Sequence, residues 1–150
     1  MREYRLHRSL FLNKKIEEVF AFFADPFNLS KITPPWLQFK VLSKPEDVKM
    51  EKGFLINYQI KLRGMPIRWQ SEITLWDPPH VFVDEQRKGP YRLWRHYHRF
   101  EPKAGGTEVI DEVLYAHFGG RLVNRLWVAK DLKKIFDYRH EKLRELVLTM

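Results

Sequence analysis

His96 and His98 stand one residue apart in the stretch LWRHYHRF (93–100), between Trp94 and Phe100. Two imidazoles at that spacing can ligate a metal, exchange protons with a carboxylate, or form the polar floor of an apolar pocket. Local structure decides among these. On a strand, alternate side chains share a face, so Trp94, His96, His98 and Phe100 point one way and Leu93, Arg95, Tyr97 and Arg99 the other. The second set carries both arginines and is predicted to meet solvent. Both imidazoles are then predicted to face inward, where polar groups need partners.

Candidate partners lie in the flanking runs. In HVFVDEQ (80–86), Phe82, Asp84 and Gln86 share a face; in TEVIDEVLY (107–115), Val109, Asp111, Val113 and Tyr115 do. A hairpin turning at Gly89-Pro90 in even register sets Asp84 beside His96 and Gln86 beside Trp94. The same phasing turns Ile56, Tyr58, Ile60 and Leu62 inward, together with Trp69, Ser71, Ile73 and Leu75. The result is an apolar surface with a few converging polar groups, as in a small-molecule site. Its ligand-binding candidates are Tyr58, Trp69, Gln86, Trp94, His96, His98 and Tyr115, with Arg139 from the last helix.

Three chemistries compete for these residues. A histidine oriented by Asp84 or Asp111 is a potential general base, which makes His96, His98, Asp84 and Asp111 the catalytic candidates, with Tyr58 and Tyr115 available to donate to an oxyanion. The bland alternative is that these groups satisfy one another. A metal could take His96 and His98 with Asp84 or His117 as third ligand, but no ordered metal motif accompanies them, and no metal or cofactor is expected. Ser9, Ser30, Ser43 and Ser71 lie in no nucleophile-elbow pattern, and phosphate-cradling glycine motifs are absent.

The elements that must position these residues follow from hydrophobic period and breakers. Residues 4–12 read as a strand; Asn13 is placed to cap a helix over KKIEEVFAFFAD; and 26–35 is expected to hold one short helical turn. Six strand-like runs follow, WLQFKVLSK, GFLINYQIKLRG, IRWQSEITLWD, HVFVDEQRK, YRLWRHYHRFE and TEVIDEVLYAHF, joined by short Pro, Gly and charged turns. Short connections imply antiparallel neighbours. From Gly120 the chain reads as helix to its end. The prediction is an α+β domain spanning 1–150: a seven-stranded antiparallel sheet, two short helices after the first strand, and a long C-terminal helix across the sheet.

That last helix carries an anomaly. Val128, Leu132, Ile135, Phe136, Leu143 and Leu146 form an apolar stripe with Arg139 in its middle. A guanidinium there must reach an acid, a ligand anion or water; by phase the acids are Asp84 and Asp111. Leu122, Val123, Leu126 and Trp127 cluster on the opposite side, so either the helix breaks near 128 or these residues form a separate apolar lip. Such a lip could gate a cavity, touch a membrane, or pack on the ITPPW loop.

Composition bounds the rest. Aromatic residues make up 15% of the chain, enough to wall a cavity, and there is no cysteine, which fits a reducing cytoplasm and excludes thiol chemistry. No apolar run is long enough to span a bilayer, and the first residues lack the apolar core of a secretion signal. The net charge of +8 is spread along the chain, which argues against a dedicated nucleic-acid site and is compatible with peripheral contact to a membrane or ribosome.

The succession ITPPWLQF, GMPIRWQSEI, FVDEQRKGPYRLWRHYHRF, TEVIDEVLY and IFDYRHEKL resembles a bacterial, cyclase/dehydrase-like branch of the START-like or SRPBCC superfamily, which includes lipid-transfer domains, polyketide cyclases and Bet v 1-type allergens. The resemblance implies the helix-grip fold, a curved sheet wrapped on the C-terminal helix with a deep cavity between them. It implies binding, carriage or transformation of a hydrophobic, partly polar molecule such as a lipid, quinone or polyketide. Binding or carriage is the expected activity; a cyclase or dehydratase using the same cavity, and an interaction protein acting on a ribosome or membrane, are the alternatives.

Overall fold

The computed structural model describes residues 1–147. Strand β1 (Tyr4–Leu12) is followed by helix α1 (Ile16–Ala24), a 3-10 turn (Pro26–Asn28) that runs into the short helix α2 (Leu29–Ile32), and a second 3-10 turn (Pro35–Leu37). Then come β2 (Lys40–Val41), β3 (Leu55–Leu62), β4 (Met65–Asp77), β5 (Val81–Lys88), β6 (Leu93–Lys103) and β7 (Gly106–Ala116). The C-terminal helix starts as α3 (Gly120–Val123), widens into a π turn (Asn124–Val128) and continues as α4 (Ala129–Val147).

The strands form a single antiparallel sheet in the order β1-β7-β6-β5-β4-β3-β2. Strands β2 to β7 are a meander, and β1 returns along β7 from Tyr4↔Tyr115 to Leu12↔Thr107. Burial in β6 and β7 alternates residue by residue, as one face turned to a core requires. Two apolar clusters fill the space under the helices. One joins Val19, Phe20 and Phe23 of α1 to Phe82, Phe100 and the end of α4 at Leu143 and Val147. The other joins Trp69, Trp94 and Val113 to Leu132 and Phe136 of α4. The first is tightened by edge-on contacts of Phe20 with Phe82 and Phe100, at centroid distances of 5.9 and 5.3 Å.

Four local expectations are corrected or resolved. Asn13 does not cap α1; the cap position is Lys15, whose backbone N–H donates to the Glu18 carboxylate 3.3 Å away. The expected strand over 36–44 shrinks to Lys40–Val41, because Pro34 and Pro35 nucleate a 3-10 turn that ends with Gln38 in the left-handed region. Leu75 is exposed rather than internal: the β4–β5 register slips between Ile73 and Leu75, and Trp76 instead packs on Phe20 and Phe82. The change of apolar face in the last helix occurs at the π turn, whose extra residue rotates everything beyond it.

Candidate functional site

Helix α4 crosses the concave face of the sheet and encloses a cavity of about 170 Å³. Tyr58, Ile60 and Leu62 of β3, Trp69 of β4 and Trp94 of β6 form its sheet wall; Leu132, Ile135 and Phe136 form its helix wall. Leu29, Thr33, Leu37 and Phe39 close it from the segment between α1 and β2. A smaller chamber of about 40 Å³, bordered by Ser71, Ile73 and Phe82, shares Tyr58, Asp84 and His98 with it.

The aromatic wall is fixed by its own contacts. Tyr58 and Trp69 are stacked at 5.8 Å, and Trp69 meets Trp94 edge-on at 5.4 Å. The polar tips of Tyr58 and Trp69 converge on Ser71, which is fully buried. Its Oγ accepts from Trp69 Nε1 at 3.0 Å and lies 3.1 Å from the Tyr58 hydroxyl. These two rings thus enter the cavity with their polar atoms already satisfied, which leaves apolar surface for a guest.

The polar end is a buried cluster built on the predicted register. Asp84 pairs with His96 across the β5–β6 ladder, and His98 pairs with Asp111 across β6–β7. The side chains cross over: His98 Nε2 lies 2.5 Å from Asp84 Oδ2, and His96 Nε2 lies 2.8 Å from Asp111 Oδ1. The two imidazoles stack at 3.7 Å, and Phe82 covers the other side of His98 at 4.1 Å. Arg139 descends from α4 and donates to Asp111 Oδ1 at 3.3 Å; His140 Nε2 stands 3.8 Å from Asp111 Oδ2.

Electrostatics fixes the proton positions. Burial, reinforced by the neighbouring His96, pushes the His98 imidazole down to about 4 against the opposing pull of Asp84. Burial would raise the Asp84 carboxyl, but the hydrogen bond that His98 donates, helped by the Arg139 guanidinium, outweighs it and holds the group below its ordinary value. Burial opposes ionisation of Asp111 too, yet the Arg139 guanidinium, the nearby His140 and the hydrogen bond from His96 hold it well below the usual carboxylate range. An ionised Asp84 only accepts, so a neutral His98 carries its proton on Nε2 and leaves Nδ1 as an acceptor. That Nδ1 and Arg139 Nε are buried without a hydrogen-bond partner among the described residues. Burial also raises the hydroxyls of Tyr58 and Tyr91, so both stay protonated donors.

The structure brings Tyr58, Trp69, Asp84, Trp94, His96, His98 and Arg139 together on the cavity wall. Asp111, 1% exposed, lies outside the lining and anchors it through His96 and Arg139. Gln86 is not a lining residue: its amide brackets the β5–β6 turn, donating to Tyr91 O at 2.7 Å and accepting from Tyr91 N at 3.0 Å. Tyr115 is buried beside Trp94 but does not line the cavity, and its hydroxyl donates to Asn124 Oδ1 at the π turn. Sequence phasing missed Tyr91, Leu29, Thr33, Leu37 and Phe39, which sit in turns and short helical pieces where no period exists. It also missed His140, although its place four residues after Phe136 puts it on the same helical face.

Asp84, His96 and His98 each offer a ligand atom within 4.8 Å of the others, the combination considered for a metal. As they stand, both Nε2 atoms are engaged by carboxylates, the rings are stacked at 3.7 Å, and a guanidinium occupies the same cluster. That is the arrangement of a hydrogen-bonded network rather than of converging ligands.

Solved structures share this architecture. The Zhui aromatase/cyclase from Streptomyces sp. R1128 superposes with a TM-score of 0.75 at 12% identity, covering 97% of this chain and 94% of that one. Ara h 8.0201 gives 0.73 at 14% identity, covering 99% and 100%. TTHA0849 from Thermus thermophilus gives 0.68 at 20% identity, covering 99% and 98%. At such identities the likeness is one of fold. No curated protein matches the sequence. The family model described as polyketide cyclase / dehydrase and lipid transport matches residues 12–141, and with the sheet gripping its C-terminal helix around an aromatic cavity, the chain belongs to that family.

Proposed function

We propose that the chain, acting as one ligand-binding unit, carries or senses a small molecule with a flat apolar ring and a polar end. The observation that carries this reading is the cavity itself: aromatic walls with satisfied polar tips, closed at one end by Arg139, His98 and Asp84. Its volume, about 170 Å³, is close to the ~150 Å³ that holds one benzene and below the ~300 Å³ at which drug-sized sites begin. A ring-sized group fits inside; a longer molecule must leave part of itself outside. An outer groove of about 590 Å³ shares Leu37, Leu62 and Ile135 with the cavity and provides a path for such a tail. A quinone, or a lipid or polyketide with a cyclic head, meets this description.

The polar end favours binding over catalysis. Asp84–His98 has the form of an oriented base, as a cyclase or dehydratase would need. But an imidazole held near 4 takes a proton from a substrate only weakly at neutral pH, whereas an effective general base lies near the working pH. The cluster is better suited to accept a hydrogen bond at His98 Nδ1 and to offer Arg139 to an oxygen of the ligand. The test is saturable quenching of tryptophan fluorescence by ring compounds, with and without an acidic group. Trp69 and Trp94 both border the site, so a bound ring must perturb them. Absence of any saturable response across quinones, aromatic acids and cyclic lipids would refute the proposal, and turnover of a bound polyketide-like compound would move it to the enzymatic alternative.

A further inference from the structure

We infer that the rim of the outer groove is a docking surface for an anionic lipid bilayer. The groove is lined by Leu126 and Trp127 of the π turn, by Arg63 and Gly64 of the β3–β4 turn and by Trp36; the β7–α3 turn and α3 continue the same helical segment beyond it. Their apolar side chains, and that of Trp36 on the groove, are left in solvent. Phe118 is 73% exposed, Leu122 58%, Trp127 48%, Trp36 57% and Met65 68%. These are large side chains: Trp36 and Trp127 line the groove together, Met65 adjoins its β3–β4 turn, and Phe118 and Leu122 precede Trp127 on the same segment, whereas apolar residues on an ordinary surface are scattered singly. Leu122 and Leu126 are four residues apart on one helical face, and the π turn is what keeps that face outside while the stripe beyond residue 128 is buried. Gly119, with φ of 99°, makes the turn that projects Phe118; a Cβ there would collide with Val123 Cγ2.

Charge identifies the occupant. Arg121 and Arg125 are exposed beside the Leu122–Leu126 stripe, Lys130 and Lys134 line the groove, and the Arg92 guanidinium lies 4.7 Å over the Phe118 ring. Between residues 118 and 134 the acid is Asp131, which lies 3.7 Å from Arg63 across the groove. Apolar and aromatic side chains ringed by cations are the pattern of a surface that inserts shallowly into an interface while its cations meet anionic head groups. A second copy fits poorly, since a two-fold contact would press this basic rim against itself. The inference concerns the rim and does not depend on which molecule the cavity holds.

The experiment is co-sedimentation of the full chain with phosphatidylcholine vesicles containing roughly one-third phosphatidylglycerol. We expect binding to these vesicles, little to pure phosphatidylcholine, and release at high salt. Arg121→Gln with Arg125→Gln should weaken it on the order of thirtyfold, and Phe118→Asp with Leu122→Asp should abolish it. All four side chains are exposed, so the variants should keep the wild-type circular dichroism and the wild-type fluorescence response to ring compounds. That response separates a failure of the docking surface from a failure of the cavity. No binding of the folded protein to anionic vesicles, equal binding to neutral ones, or binding untouched by the rim substitutions overturns the inference. So does a dimer in sedimentation equilibrium that the same substitutions dissolve, which would make the occupant a second copy.

Discussion

Replacing Arg139 by Met tests the most unusual feature of the helix. Arg139 is 9% exposed and its acid, Asp111, is 1% exposed. With the guanidinium gone, Asp111 keeps the 2.8 Å contact to His96 and the more distant His140, but loses the nearest permanent cation. Breaking a buried pair in this way costs about 3–5 kcal/mol, because a charge is left uncompensated out of water. Against a total stability of about 5–15 kcal/mol for a domain, that is a large fraction, and it corresponds to a drop in Tm of roughly 10 °C. Arg139→Met combined with Asp111→Asn removes both charges at nearly constant shape and should recover at least half of the loss. Urea unfolding of wild type, the single variants and the double variant supplies the cycle. An Arg139→Met protein that unfolds like wild type, with only anionic ligands lost, would show that the arginine serves the ligand and not the fold. Strict additivity of the two substitutions would refute the pairing.

Other expectations follow from the same geometry. His98 is held near 4 in the fold against about 6.5 unfolded, so between these values the unfolded chain binds the extra proton; stability should fall by about 3 kcal/mol as pH drops from 6.5 to 4. His98→Gln, which keeps a donor for Asp84, should flatten that slope in urea titrations, and an unchanged slope would reject the assignment. Tyr58→Ala removes a wall of the cavity and should weaken binding of any ring compound by about 1–3 kcal/mol by fluorescence titration, with no effect if the ligand sits elsewhere. Gly119→Ala forces a side chain into a left-handed position against Val123 and should cost about 1–3 kcal/mol in thermal melts, whereas Gly53→Ala, with nothing within 4 Å, should cost less.

The regular parts of the molecule were readable because their periods are strong. Alternation in LWRHYHRF and TEVIDEVLY set the inward face; an even hairpin register then gave the Asp84–His96 ladder pair, and phase offered Arg139 two acids, Asp84 and Asp111, of which the structure takes Asp111. What escaped was irregular. The bulge that swaps Leu75 for Trp76 has no sequence marker in IRWQSEITLWD, since both residues are apolar. The crossing of the histidine contacts, His96 to Asp111 and His98 to Asp84, depends on side-chain torsions that period does not encode. Gln86 shared the inward phase but was captured by the backbone of Tyr91, a turn residue. The helix was read as broken or lipped near 128; the π turn there is the physical reason for its change of face.

The most direct test of the central claim is native mass spectrometry of the protein with a mixture of ring compounds, neutral and acidic, run beside Leu132→Trp. Leu132 is a buried wall residue of α4, and a tryptophan there fills part of the cavity. The account predicts a one-to-one adduct with wild type that is lost in the filled variant while its charge-state distribution stays that of a folded protein. An adduct that survives in a folded Leu132→Trp protein, or no adduct with any compound, would contradict it.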